Sequence, residues 1–317
     1  MKSKSNKLID YSIVIPVYQN KGSLDDTFKL IKNNVIDRNP QYSAEIIFVD
    51  DGSTDGSFQD LITLYEAYPE LIVIVKLTRN FGTYPAIIAG FNQAKGKCII
   101  NLSADLQEPP ELIHDMLQYH FNKNYSIVIC ARESRDEGIY KKITSKIFYG
   151  VIKKLCFPNM PIGGFDFCLI SERVKDEILK NLEADFFLQG EILWVGYNIK
   201  YIPYTRRKRE IGKSQWTFSK KIKWFIDSLM SYSFFPIRFM SFLGIFLSIT
   251  GFIFGIYIFV ERLLSDNYIP GLAPIVILIL VLSGFQMLML GIIGEYLWRT
   301  LSQVRNRPKY VIDEIIG

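Results

Sequence analysis

The chain has 317 residues, of which 49% are hydrophobic, and a formal net charge of +5 at pH 7. That length fits one large domain or one domain with appendages, and the apolar share is too high for a purely soluble enzyme. With only two histidines and four cysteines far apart in the chain (Cys98, Cys130, Cys156, Cys168), a zinc site is disfavoured, and the thiols read as reduced and structural.

From the N-terminus, the runs YSIVIPVY, AEIIFVD, LIVIVKL, KCIINL and YSIVIC read as buried strands. Amphipathic stretches near 23–36, 56–67, 84–95 and 110–122 read as the helices between them. This alternation predicts an α/β fold with a mostly parallel sheet covered on both faces. In such sheets ligands bind at the carboxyl ends of the strands. Polar clusters fall there in turn: Tyr18-Gln19-Asn20, Asp50-Asp51, Thr78-Arg79-Asn80, Ser103-Ala104-Asp105, and Arg132. Further on, GGFDFCLIS (163–171) and NIKYIPY (198–204) read as strands around a helix near 171–181. Residues 215–235, rich in Trp, Phe and Lys, read as a helix lying in a membrane interface; a surface helix of the domain is the alternative.

Residues 239–260 and 267–294 carry no charge. Each run exceeds the roughly 20 apolar residues that span a bilayer core, a pair of buried core helices being the other reading. No signal peptide is visible, since SIVIPVY is short and broken by Pro16. Basic residues gather from Arg206 to Lys223 and again at Arg299, Arg305, Arg307 and Lys309, whereas the connecting loop holds only Glu261, Arg262 and Asp266. The positive-inside rule then puts both termini in the cytoplasm. Such a collar points to anionic lipid rather than nucleic acid, although Lys220–Lys223 also fit a plain solvated face. The expected organisation is a domain over 1–212, a juxtamembrane segment over 213–237, two spans over 238–295 and a tail over 296–317, whose KYVIDEIIG end reads as an extended segment packing back on the domain.

VDDGSTDGS (49–57) ends a strand on two carboxylates and enters a helix through Ser53, Thr54 and Asp55, an N-cap pattern. The cap does not account for two adjacent Asp, whose repulsion calls for a ligand or cation. No G-x-G-x-x-G follows the first strand and no G-x-x-x-x-G-K-[ST] occurs, which disfavours a dinucleotide dehydrogenase and a P-loop ATPase. In SADLQEPP (103–110), Asp105 and Gln107 stand two apart, so on extended backbone they point the same way. They are the kind of oxygen ligands that hold Mg²⁺ together with phosphate and water. Pro109 and Pro110 fix the exit, and the next helix is expected to begin at Glu111.

In their order, SIVIPVY, VDDGSTDGS, LTRNFG and SADLQEPP resemble the family 2 glycosyltransferases with a GT-A (Rossmann-like) fold. With GGFDFCLIS, RRKREIGKSQWT (206–217), GEYLWRT (294–300) and two apolar runs, nearly the whole chain resembles the polyprenyl-phosphate glycosyltransferases. That group contains dolichol-phosphate mannose synthase and the bacterial undecaprenyl-phosphate glucosyltransferases. The resemblance implies inverting transfer of a sugar, from a UDP-sugar by analogy, to undecaprenyl phosphate at the inner membrane, for modification of envelope glycans such as lipopolysaccharide. It implies that Pro16, Val17, Tyr18 and Asp51 hold the nucleoside and that Arg79, Asn80 and Ser103-Ala104-Asp105 line the sugar-nucleotide pocket. It gives Mg²⁺ or Mn²⁺ to Asp105 and Gln107, an acceptor-side catalytic role to Asp166, and the lipid phosphate to Arg132, Arg206, Arg207 and Arg209. A homotetramer is implied by the same analogy. The chain departs from the family at Ser103, where D-A-D is common, and at Gln19-Asn20-Lys21, where N-E is common. Two rivals remain at this stage. A processive polysaccharide synthase is expected to carry Q-x-x-R-W, whereas Gln189 is followed by GEILW; an inactive membrane scaffold is expected to have lost the strand-tip residues, and these are present.

Overall fold

The run YSIVIPV forms strand β1 (Tyr11–Val17), in which every residue but Pro16 is buried. An unbroken apolar strand of this kind needs cover on both faces, and the rest of the domain supplies it. The computed structural model describes residues 8–105, 107–134, 150–161, 164–183, 186–205, 226, 229–230, 232–264 and 272–317. The further strands are β2 (Ala44–Asp50), β3 (Ile72–Leu77), β4 (Cys98–Asn101), β5 (Ile127–Ser134), β6 (Cys168–Ser171), β7 (Ile199–Thr205) and β8 (Ile312–Ile316). They form one sheet in the order β7-β5-β6-β4-β1-β2-β3-β8.

Five helices fall where the sequence predicts them: α1 (Leu24–Ile31), extended by a π-helical turn over Lys32–Ile36, then α2 (Ser57–Ala67), α3 (Thr83–Gln93), α4 (Leu112–Phe121) and α5 (Glu172–Asn181); a further helix, α6 (Leu188–Trp194), lies where the sequence reading places none. One apolar layer joins the sheet to α1, α2 and α4 through Phe28, Leu61 and Leu117. A second joins the other face to α3, α5 and α6 through Ile87, Ile178 and Ile192. β1 pairs in parallel with β2 on one side and β4 on the other, so the winding direction reverses between β1 and β4. That is where a crevice opens in doubly wound sheets.

Two strands break the parallel pattern. β6 runs antiparallel between β4 and β5, and β8 runs antiparallel along β3. β8 is the KYVIDEIIG tail, which packs back as expected and becomes part of the domain sheet, although the sequence division assigns it to a separate tail. Two long helices come before it, α7 (Phe235–Leu264) and α8 (Leu272–Arg305), and α8 runs unbroken across the expected boundary at 296. Phe235–Val260 and Val281–Arg305 are long and apolar enough to cross a membrane, and none of either window is buried inside the protein. That exposure removes the core-helix reading. The predicted interfacial helix over 215–235 lies for two thirds of its length outside the described residues, and Arg206, Arg207 and Arg209 lie wholly outside them.

Candidate active site

The loops at the carboxyl ends of β1, β2 and β3 are tied into one unit. The expected cap of α2 does not form. The helix starts at Ser57 behind Gly56, whose position has no side-chain cap; Ser53 and Thr54 bond elsewhere, and only Asp55 Oδ1 reaches the helix start, accepting the Ser57 N–H at 3.0 Å. The Gln19 backbone N–H donates to Ser53 Oγ at 3.2 Å, and Gln19 Nε2 donates to Thr54 Oγ1 at 2.9 Å. The backbone N–H groups of Asn20, Lys21 and Gly22 donate to Ser57 Oγ, Asp55 Oδ2 and Asp60 Oδ2 at 2.8, 3.0 and 2.8 Å. The TDGS half of the motif therefore shapes the loop that carries Tyr18.

The adjacent aspartates are separated by use. Asp50 Oδ1 accepts the Ser53 N–H at 3.2 Å. Asp51 accepts the N–H groups of Phe81 and Gly82 at 2.7 and 2.9 Å, and its own N–H donates to the Val17 carbonyl at 2.9 Å. Gly52, which follows them, has φ +68°, and a Cβ there would meet the Arg79 carbonyl carbon at 2.5 Å. Only glycine lets the β2 tip lie on the Arg79-Asn80 backbone. Burial pushes the Asp51 carboxyl up to about 6, against the pull of the Phe81 and Gly82 N–H groups. Burial likewise raises Asp50. Pro16, Val17, Tyr18, Asp51, Arg79 and Asn80 thus lie in or beside one loop cluster at the carboxyl ends of β1, β2 and β3.

The second cluster lies after β4. The extended backbone expected between Asp105 and Gln107 does not form: Ala104 and Asp105 sit in a turn, and Asp105 Oδ1 accepts the Gln107 N–H at 3.3 Å. An acid that bonds backbone two residues on makes such a turn by itself. The turn is pinned to α1 by Thr27 Oγ1, which donates to the Ala104 carbonyl at 3.0 Å. Ser103 Oγ lies 2.6 Å from Asp105 Oδ1 and also bonds Glu108 Oε2. One hydroxyl has one proton, so it donates to only one of these carboxylates. The other contact requires a proton or a cation. An all-oxygen set of this kind fits Mg²⁺ or Mn²⁺, although no group of three His, Cys, Asp or Glu side chains poised for a metal occurs among the described residues.

From Glu108 the network continues inward. Glu108 Oε1 is 4.0 Å from Arg132 Nη2, and Arg132 Nη2 pairs with Asp166 Oδ2. Arg132 Nε donates to the Tyr204 hydroxyl at 3.3 Å. Gln189 Nε2 donates to Asp166 Oδ1 at 3.0 Å, and Asn101 Nδ2 donates to the Asp166 carbonyl at 2.7 Å. Burial pulls the Arg132 guanidinium down, and Asp166, Tyr204 and Glu108 more than offset it, so it is held above its ordinary value. Arg132 and Glu108 are enclosed at 5% and 1% side-chain exposure, whereas Asp166 is 42% exposed. Asp166 is therefore what an incoming ligand meets first. Sequence reasoning missed Glu108, Tyr204 and Gln189. The only sequence signal for Glu108 is a carboxylate three residues past Asp105 in a turn already rich in polar atoms.

A doubly wound sheet with these two clusters along its carboxyl edge has the form of a GT-A glycosyltransferase. The family model described as Glycosyl transferase family 2 matches residues 12–179, and the chain belongs to that family and is a glycosyltransferase. It is 34% identical over 310 residues to the uncharacterized glycosyltransferase sll0501 of Synechocystis sp., covering 98% of this chain and 96% of the relative. It is 30% identical over 302 residues to the bactoprenol glucosyl transferase of Shigella phage SfII, covering 95% and 96%. Among solved structures, that of S. aureus TarS residues 1–349 with UDP-GlcNAc aligns at TM-score 0.47 and 14% identity, covering 71% of this chain and 67% of that one.

Proposed function

We propose that the protein transfers a sugar from a nucleotide sugar, a UDP-sugar, to the phosphate of undecaprenyl phosphate or a similar polyprenyl phosphate. The reaction takes place at the cytoplasmic face of a bacterial inner membrane and yields a lipid-linked sugar for envelope glycans. The observation that carries this reading is the continuous polar network from Asp105 through Ser103, Glu108 and Arg132 to Asp166 and Gln189. It joins the expected leaving-group side to the expected acceptor side in a chain with two helices fit to cross a membrane. The likeness to a bactoprenol glucosyl transferase over nearly the full length supports the lipid acceptor. The intact network speaks against an inactive scaffold, and a homo-oligomer in the membrane belongs to the same reading.

The acceptor oxygen of a phosphate monoester needs little help from a base, because its second pKa is about 6 and it is largely a dianion at neutral pH. Bond formation from that oxygen to the anomeric carbon accompanies cleavage of the bond to the diphosphate, which leaves with the electron pair, and the carbon inverts. Asp51, Arg79 and Asn80 orient the nucleotide end. Asp105 and Gln107, with Ser103, would hold Mg²⁺ or Mn²⁺, which would supply charge neutralisation for the diphosphate. Asp166, bound on both oxygens by Arg132 and Gln189, is an orienting group rather than a free base. It keeps Arg132 in place for the lipid phosphate, a role that Arg206, Arg207 and Arg209, outside the described residues, would share by the family resemblance. Rate enhancement then comes from alignment and charge placement.

The test is transfer of radiolabelled sugar from a panel of UDP- and GDP-sugars to undecaprenyl phosphate in detergent, with metal or EDTA, for wild type and Asp105→Ala. The expected result is lipid-extractable label from one donor, abolished by EDTA and cut by about 10²-fold or more in the variant. Label that survives EDTA overturns the metal role alone. Absence of lipid-linked label with every donor, from protein that still binds nucleotide, overturns the acceptor.

A further inference from the structure

Helix α6 has only 7 residues, and Phe187 at its start gives it no side-chain cap. A helix that short has little stability of its own, so its position comes from what it touches. Gln189 and Glu191 point opposite ways from it, because residues two apart on a helix stand about 200° apart. Gln189 donates to Asp166 Oδ1 at 3.0 Å, and Glu191 accepts from the Tyr232 hydroxyl at 2.8 Å. Both are buried, at 5% and 4% exposure. Gly190 between them lies against aromatic rings: a Cβ there would meet Phe187 Cδ1 at 2.8 Å and Phe157 Cζ at 2.9 Å. The Tyr232 ring completes that cluster, its centroid 4.8 Å from that of Phe157 and 6.4 Å from that of Phe187.

Asp166 is thereby held from two sides. Arg132, on β5 and bonded to the Tyr204 hydroxyl of β7, takes Oδ2 from within the sheet. Gln189 takes Oδ1 from α6, whose far side is bonded to Tyr232, and Tyr232 stands three residues before α7, the first membrane-length helix. Gln189 is not at rest by its own bonds, since its buried Oε1 has no partner among the described residues. A buried acceptor left so costs free energy. The contacts on the other side of α6, the aromatic cluster and the Tyr232–Glu191 bond, must therefore hold the amide against Asp166.

We propose that Tyr232 is a positioning residue for Asp166. It acts through Glu191 and α6, so that the segment leading into the first membrane-length helix sets where the acceptor-side carboxylate stands. The loops at the ends of β1, β2 and β3 lie beyond β4 in the sheet order, outside this line of contacts. The effect on transfer rests on the function proposed above; the mechanical link does not.

The experiment compares full-length wild type, Tyr232→Phe, Glu191→Leu and Glu191→Gln in detergent. Hydrogen exchange is read by mass spectrometry over 164–170 and 186–194, with 47–57 as reference, and transfer to the lipid is measured against both substrates. Tyr232→Phe keeps the ring and loses the bond. It is expected to exchange faster over 164–170 and 186–194 but not over 47–57. Its kcat should fall about fivefold, the worth of one net hydrogen bond, without a matching rise in the donor KM. Glu191→Leu should fall at least as far, and Glu191→Gln, which keeps an acceptor, should lie between it and wild type. If Glu191→Leu does not fold, Tyr232→Phe decides alone. Lower thermal stability in Tyr232→Phe, with kcat and exchange over 164–170 both unchanged, makes the contact structural only and overturns the proposal. Wild type that makes no lipid-linked label overturns the acceptor instead, and the exchange readings then decide the link by themselves: equal rates over 164–170 in wild type and Tyr232→Phe overturn it.

Discussion

Glu108 is the residue on which the two halves of the candidate site depend. It is 1% exposed and faces the buried Arg132 at 4.0 Å, while its other oxygen bonds Ser103. Glu108→Gln keeps the shape and removes the charge that helps hold Arg132. Breaking one partner of a buried ion pair costs about 3 kcal/mol or more, although Asp166 remains to share the load here. The expected outcome is a loss of stability of about 2 kcal/mol and a fall in kcat without a matching rise in the donor KM. A variant with wild-type kcat and stability would remove Glu108 from the network. Part of this was legible beforehand: Asp105 stands out because it follows an apolar strand and precedes two prolines. Glu108 does not stand out, because its charge partner Arg132 on β5 comes from further along the chain and no local periodicity marks it. The spacing of Asp105 and Gln107 misled for a similar reason. A carboxylate that bonds its own backbone makes a turn where alternation predicts a strand.

Helix α6 (Leu188–Trp194) couples two elements that the sequence does not connect. Gln189 on it holds Asp166 at 3.0 Å, and Glu191 accepts from the Tyr232 hydroxyl at 2.8 Å, three residues before α7 begins. Burial pushes the Glu191 carboxyl up to about 7, with the Tyr232 bond pulling it back. The unfolded value is about 4.3. Between those values the folded state binds the extra proton, so the contribution of Glu191 to stability is fully present below about pH 4 and is lost as pH rises through about 7. Thermal unfolding of the wild type is therefore expected to drop between pH 5 and pH 8, with a flatter profile for Glu191→Gln. Equal slopes in the two proteins would place the titration elsewhere. The strands and helices of the first half were readable because each strand is an unbroken apolar run and each helix a separate amphipathic one. The antiparallel insertion of β6 was not, since strand order is fixed by contacts across the sheet. The start of α2 was readable but its cap was not, because Ser53 and Thr54 serve the neighbouring loop and Asp55 divides its oxygens between that loop and the Ser57 N–H.

At the scale of the whole molecule, the chain leaves the domain, forms two membrane-length helices and returns to finish the domain's own sheet. Val311 accepts the Thr78 N–H at 3.0 Å, and Lys76 pairs with Asp313 at 2.8 Å. The return strand thus begins one residue before Arg79 and covers the edge of β3. Without it, the run Ile74-Val75-Lys76-Leu77 would lie on an open edge, a template for pairing with other chains. The domain and the helices are therefore joined twice, by the segment leading into α7 and by β8, and the second joint sits beside the loop that carries Arg79. Removing residues 311–317 should cost about 2 kcal/mol from two half-buried isoleucines, Ile312 and Ile316, and should promote self-association. The same truncation should raise the donor KM more than it lowers kcat, because it loosens the loop that carries Arg79 while leaving Asp105 and Asp166 in place. Light scattering and donor kinetics on the truncated protein test both halves. A monodisperse protein with an unchanged donor KM would reduce β8 to a passive cover, and the membrane helices would then bear on the active site only through α7.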